Sequence, residues 1–225
     1  RMKPQFASSL SALAASALFL AVSSTTANAA DYTWDTTSGD GSTITAASGT
    51  WSTTGTNWNS AGSNLAWSQL ATGTASHNAI FAGADGTYAV TLSGTTNAQS
   101  VTFNNSGYTL SSGTLTLQPT GTTNGNITVA ANKTATINSA IVFANNAATS
   151  ITSNAGSTLN LGGGASNSQY RFLGAGTINM TSGTYTANVG RVNVGTFNQT
   201  GGTFVMNLPS GTAATPDGYF IGDNA

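Results

Sequence analysis

A chain that repeats a short stretch of itself at fixed spacing has few ways to fold. Gly176 to Asn188 reads GTINMTSGTYTAN, and nineteen residues later Gly195 to Asn207 reads GTFNQTGGTFVMN. Gly, Thr, Asn, Thr, Gly, Thr and Asn recur at the same offsets, and Ile178 and Tyr185 are matched by Phe197 and Phe204. A unit this short cannot enclose a core alone, so successive copies must bury their apolar faces on one another. A period of about 20–25 residues suits one turn of a parallel β-helix, each coil hydrogen-bonded to the next about 4.8 Å away. The repeat then predicts Ile178 beside Phe197, Tyr185 beside Phe204, and Asn179 beside Asn198 in an amide ladder.

The same logic operates inside each unit. Apolar–polar–apolar triplets run along the chain: VTL at Val90, VTF at Val101, YTL at Tyr108, LTL at Leu115, ITV at Ile127, LNL at Leu159, INM at Ile178 and VNV at Val192. A period of two puts the flanking side chains on one face and the Thr or Asn on the other. Asn105-Ser106-Gly107, Ser112-Gly113, Asn154-Ala155-Gly156 and Gly201-Gly202 supply turn residues between them. SGYTLSSGTLTL, from Ser106, echoes the unit, and ITSNAGSTLNL, from Ile151, echoes it with one inserted residue. The sequence predicts an all-β fold, a parallel β-helix in which residues 88–225 form the repeats, with room for about six coils.

The two ends differ from this body. Lys3 precedes an apolar run from Leu10 to Val22, and Ala27-Asn28-Ala29 presents small residues where a signal peptidase reads, so residues 1–29 are expected to be a secretory signal. The run is too short to span about 30 Å of hydrocarbon. Residues 30–87 lack the clean triplets and hold all four tryptophans, Trp34, Trp51, Trp58 and Trp67. The end of a stacked sheet has unpaired backbone groups and an open apolar core, so this region is expected to be an N-terminal Trp-rich cap. The closing GYFIGDNA (218–225) reads as the start of another unit, with the repeats expected to continue beyond it.

Composition excludes several partners. Without residues 1–29 the chain keeps Lys133, Arg171 and Arg191 against Asp31, Asp35, Asp40, Asp85, Asp217 and Asp223, a formal charge of −3. Nothing there would neutralise a row of phosphates, so no nucleic-acid partner is expected. Cysteine and glutamate are absent and His77 is the only histidine. No zinc site, no other metal site and no cofactor is expected from such a set. Asp31, Asp35 and Asp40 are close in sequence but lack calcium-loop spacing.

The chain resembles bacterial proteins with autotransporter-associated β-strand repeats. The stretches that carry the resemblance are DYTWD from Asp31, GTWSTTGTNW from Gly49, NAIFAG from Asn78, the block from Tyr88 to Leu117, NGNITVAANKTATIN from Asn124, and the endings FNQTGGTF and YFIGDNA. The resemblance implies a secreted passenger folded as a right-handed β-helix, held at the outer membrane or cell surface of a Gram-negative-type bacterium by a downstream barrel or anchor. Asn78 stands where the family often has an acidic residue, and neither a barrel nor a sorting tail occurs within these residues.

No catalytic residue stands out. The neighbours of His77 carry no nucleophile pattern, and a glycosidase would need two carboxylates across one sugar bond. Asp85, in AGADG, reads as a turn residue. Aromatic faces bind sugars, so Trp34, Trp51, Trp58 and Trp67 are the candidate ligand platform, with burial in the cap as the simpler use. The expected function is a structural or adhesive surface module without catalysis, whose partner is a carbohydrate or cell-surface molecule. The alternative is a carbohydrate-active β-helix enzyme, of polysaccharide lyase or glycosidase type, or a sugar-binding module.

Overall fold

A computed structural model describes residues 29–68, 77–118, 125–144, 149–166, 170–187 and 191–206; residues 1–28 and the closing GYFIGDNA lie outside these. Among the described residues the protein is all-β, with twenty strands and no helix. The strands form three columns. In the first, Asp31–Trp34, Asn78–Phe81, Ser100–Phe103, Asn126–Val129, Thr149–Ser153 and the start of Tyr170–Met180 pair successively in parallel. In the second, Gly49–Trp51, Tyr88–Leu92, Tyr108–Ser111, Thr134–Ile137, Thr158–Leu161 and the end of Tyr170–Met180 do likewise. The third holds Thr95–Ala98, Thr114–Leu117, Ala140–Phe143, Ala165–Ser166, Thr184–Ala187 and Thr203–Met206. Arg191–Gln199 runs parallel to Tyr170–Met180 across both of the first two columns, which joins them into one 14-stranded sheet beside a six-stranded one.

From Asn78 onward the chain visits the columns in turn, so the spacing of register partners measures one circuit. Tyr108 is partnered by Tyr88, 20 residues back, and by Ala135, 27 residues on. Thr134 and Thr158 are 24 apart; Thr158, Thr177 and Thr196 follow at 19. The third column keeps pace, from Thr95–Thr114 at 19 to Thr184–Thr203 at 19. The register expected from the repeat is present: Ile178 opposite Phe197, Tyr185 opposite Phe204, Asn179 opposite Asn198.

Alternation builds the core as the triplets require. Val101, Phe103, Ile127, Val129, Leu159, Leu161, Ile178 and Met180 are buried, while Thr102, Thr128, Asn160 and Asn179 between them are partly exposed. Like lies over like: Phe81 and Phe103 stack with centroids 5.1 Å apart and planes at 14°, and Phe172 sits 5.4 Å from Phe197. Each aliphatic or aromatic side chain so buried stabilises the fold by about 1.5–3 kcal/mol before its entropy cost. Thr116 departs from the pattern and is buried with its neighbours.

The corner between the second and third columns explains the recurring Gly-Thr. Gly94, Gly113, Gly164, Gly183 and Gly202 each stand immediately before a third-column strand, all with positive φ. At Gly183 a Cβ would strike the Gly164 backbone, and at Gly202 the Gly183 carbonyl. The left-handed conformation and the close stacking both demand glycine. Length variation is placed elsewhere, between the third column and the next circuit: Ala98 and Ser100 are adjacent strand ends, whereas Leu117 and Asn126 are nine apart.

Parallel pairing does not begin at residue 88. Asp31–Trp34, Gly49–Trp51 and Asn78–Phe81 already lie in register with later strands. The triplet rule misses NAIF because Ile80, an apolar residue, takes the outward position. What distinguishes the N-terminal region is an antiparallel hairpin, Trp58–Ser60 with Ser63–Leu65, laid against Asp31–Trp34 at the end of the sheet order.

Candidate functional site

The four tryptophans close the core at this end. Trp34, Trp51, Trp58 and Trp67 are at most 1 % exposed. Trp58 is the hub, with ring centroids 4.6 Å from Trp67, 4.7 Å from Trp51 and 5.2 Å from Trp34. Phe81 lies 5.7 Å from Trp58 and carries the aromatic stack on to Phe103. Rings so enclosed present no face for a sugar, so the expectation of a sugar platform at Trp34, Trp51, Trp58 and Trp67 is corrected to core packing. The physical reason is that the open end of a stacked core needs large apolar volume, which indoles supply.

The segment from Asn57 to Trp67 also meets the backbone edge of each column. The hairpin pairs with Asp31–Trp34 in the first column. In the second, the Asn57 side-chain amide donates to the Thr50 carbonyl at 3.1 Å. In the third, the Trp67 indole N–H donates to the Asn97 carbonyl at 2.9 Å. Sheet edges left with unpaired groups recruit other chains, and these contacts blunt them.

The acidic residues are separate structural devices. Asp35 is buried; its Oδ1 accepts the N–H groups of Thr37 and Thr45 at 3.2 Å each, and its Oδ2 the Asn59 amide at 3.3 Å. Asp40 accepts the Thr45 hydroxyl at 3.4 Å, so the two carboxylates share one residue of one loop and do not face each other across a groove. Asp31 accepts the Asn78 amide at 2.8 Å. Among the described residues no three His, Cys, Asp or Glu side chains are grouped to hold a metal ion. Asp85 is exposed and accepts the Ser106 N–H at 2.8 Å and the Lys133 ammonium at 2.9 and 3.0 Å. The Ser106 N–H, then Lys133, hold its carboxyl below the usual range.

His77 stacks on Tyr32, centroids 4.2 Å apart and planes at 11°, with Trp67 edge-on at 5.9 Å. Its Nδ1 accepts the Ala30 N–H at 3.3 Å, and burial pushes its pKa down. This is a neutral imidazole holding the first strand, and it has no triad geometry.

One surface stands out chemically. On the outward face of the second column, Thr134, Thr158, Thr177 and Thr196 share one register file, and Thr136, Asn160, Asn179 and Asn198 the next. The second file is hydrogen-bonded throughout: Asn160 to Thr136 at 3.3 Å, Asn179 to Asn160 at 2.8 Å, Asn198 to Asn179 at 3.0 Å. Its C-terminal half was readable from the nineteen-residue repeat. The Asp35 loop was missed, although an Asp two residues before a Thr N–H is the signature of an Asx turn. The hairpin was missed because its turn uses Ala61 and Gly62, with φ of 52° and 81°, rather than an Asn-Gly pair. Compared with protein-family models, curated proteins and solved structures, the chain matches none.

Proposed function

We propose that the chain is a secreted, right-handed parallel β-helix of the autotransporter-associated repeat type. In this reading it acts as a stiff structural or adhesive module displayed at a bacterial surface and catalyses nothing itself. The observation that carries the reading is the unbroken parallel register of all three columns, circuit after circuit, from Asn78 to Met206. Strand-to-parallel-strand crossovers are right-handed in about 98 % of cases, which supports the handedness. The first strand starts at Asp31, directly after Ala27-Asn28-Ala29, as a cleaved signal requires. The tryptophans and the Asn57–Trp67 segment are the cap, and a downstream barrel or sorting tail is the means of display. The buried Asp35 and the Lys133-bound Asp85 serve the fold, which favours a scaffold over a hydrolase.

Two measurements test this. The chain has no cysteine, so paired cysteines report stacking directly. Thr158→Cys with Thr177→Cys should cross-link on mild oxidation, because register partners fall within disulfide reach, whereas Thr158→Cys with Thr196→Cys, two circuits apart, should not. The reverse result removes the stack. Display is tested by protease shaving of intact cells expressing the tagged full-length protein; a tag protected until lysis refutes surface exposure.

A further inference from the structure

The Thr/Asn face of the second column is a flat array of neutral hydrogen-bonding groups. It spans four consecutive circuits, as Thr134/Thr136, Thr158/Asn160, Thr177/Asn179 and Thr196/Asn198. These side chains are partly or fully exposed. Strand geometry spaces the circuits by about 4.8 Å and the two files by about 6.6 Å. The amide chain from Asn198 to Thr136 uses one N–H of each Asn, leaving the second N–H free by valence and repeated at every circuit. Because each amide is fixed by its neighbours, little side-chain entropy remains to be lost on binding.

We infer that this face is a docking surface for a neutral polysaccharide chain lying along the column, one sugar unit to about one circuit. The inference rests on the surface-module reading and names its ligand class. Charge selects the partner: the eight positions carry no ionic side chain, so an anionic glycan, a phosphate-bearing lipid or a nucleic acid finds no counter-charge there. The absence of aromatic and arginine anchors argues against a protein partner, whose binding energy concentrates on such residues. Hydroxyls and amides, each donor and acceptor at once, match the hydroxyls of a pyranose chain, and an extended glycan repeats on nearly the length of a circuit. Trp34, Trp51, Trp58 and Trp67 take no part, since they lie in the core.

The test is affinity electrophoresis of the full chain in gels containing hydroxyethylcellulose, dextran, galactomannan or xyloglucan, with carboxymethylcellulose as the charged control. Retardation by at least one neutral polymer, insensitive to salt, is expected. Thr134→Lys and Thr196→Lys, both at exposed positions, should weaken it roughly tenfold. Asn179→Ala should weaken it as well, with the fold retained by circular dichroism. Lack of retardation by all four neutral polymers overturns the inference, as does retardation by the charged polymer alone or retardation that survives both lysine variants. Ice-crystal faceting without glycan binding would assign the array to ice instead and also overturn it. The cysteine cross-links are independent of this result, so a face that binds no glycan on a chain that cross-links in register defeats this inference and leaves the stacked module standing.

Discussion

At the scale of single residues, the corner glycines and the ladder amides make the firmest claims. Gly183→Ala must hold an L side chain at a φ of 81° and push its Cβ into the Gly164 backbone. A loss of roughly 1–3 kcal/mol is expected, read as a lowered midpoint in urea. Asn179→Ala removes a donor and an acceptor from a partly exposed chain and should cost about 1 kcal/mol by the same measurement. His77 makes a pH prediction. Burial lowers its folded pKa below the ordinary 6.5, so protonation is harder in the folded state than in the unfolded one. Its contribution is complete above about 6.5 and is lost as pH falls through the lowered folded value; His77→Gln should flatten that part of the stability–pH curve. At this scale the repeat made Ile178, Tyr185 and Asn179 legible because identical neighbours announce identical surroundings. Asp35 was not legible, since its partners Thr45 and Asn59 come from loop geometry that no periodicity records.

At the scale of elements, the triplets located most of the first two columns, because a buried–exposed–buried strand writes its orientation into the sequence. The third column was harder. Thr95–Ala98 buries Thr96 and Ala98, and Ala165–Ser166 is two residues long, so neither shows an apolar alternation. Their positions follow from the preceding glycine corner rather than from their own composition. The hairpin Trp58–Ser60 and Ser63–Leu65 is the element on which the N-terminal end depends. Trp58→Ala removes the hub of the indole cluster and should cost about 3–5 kcal/mol, seen as a lower thermal midpoint. Trp67→Phe keeps most of the volume but frees the Asn97 carbonyl. A smaller loss, about 1 kcal/mol, is expected, with faster amide exchange in Thr95–Ala98 than in Thr114–Leu117.

At the scale of the molecule, cohesion is nearest-neighbour: each circuit touches the one before and the one after, and the core is a column rather than a centre. The sequence conveyed this general plan through its spacing, but not the varying circuit length, because the extra residues fall between the third column and the next circuit, where no packing constrains them. The glycine corners have an evolutionary consequence. Gly164, Gly183 and Gly202 occupy equivalent places, and the last two are separated by one nineteen-residue block whose upper and lower surfaces already fit each other. Tandem duplication of that block would therefore lengthen the protein without any compensating substitution, and a gene of this kind can grow or shrink by unequal recombination while every intermediate still folds.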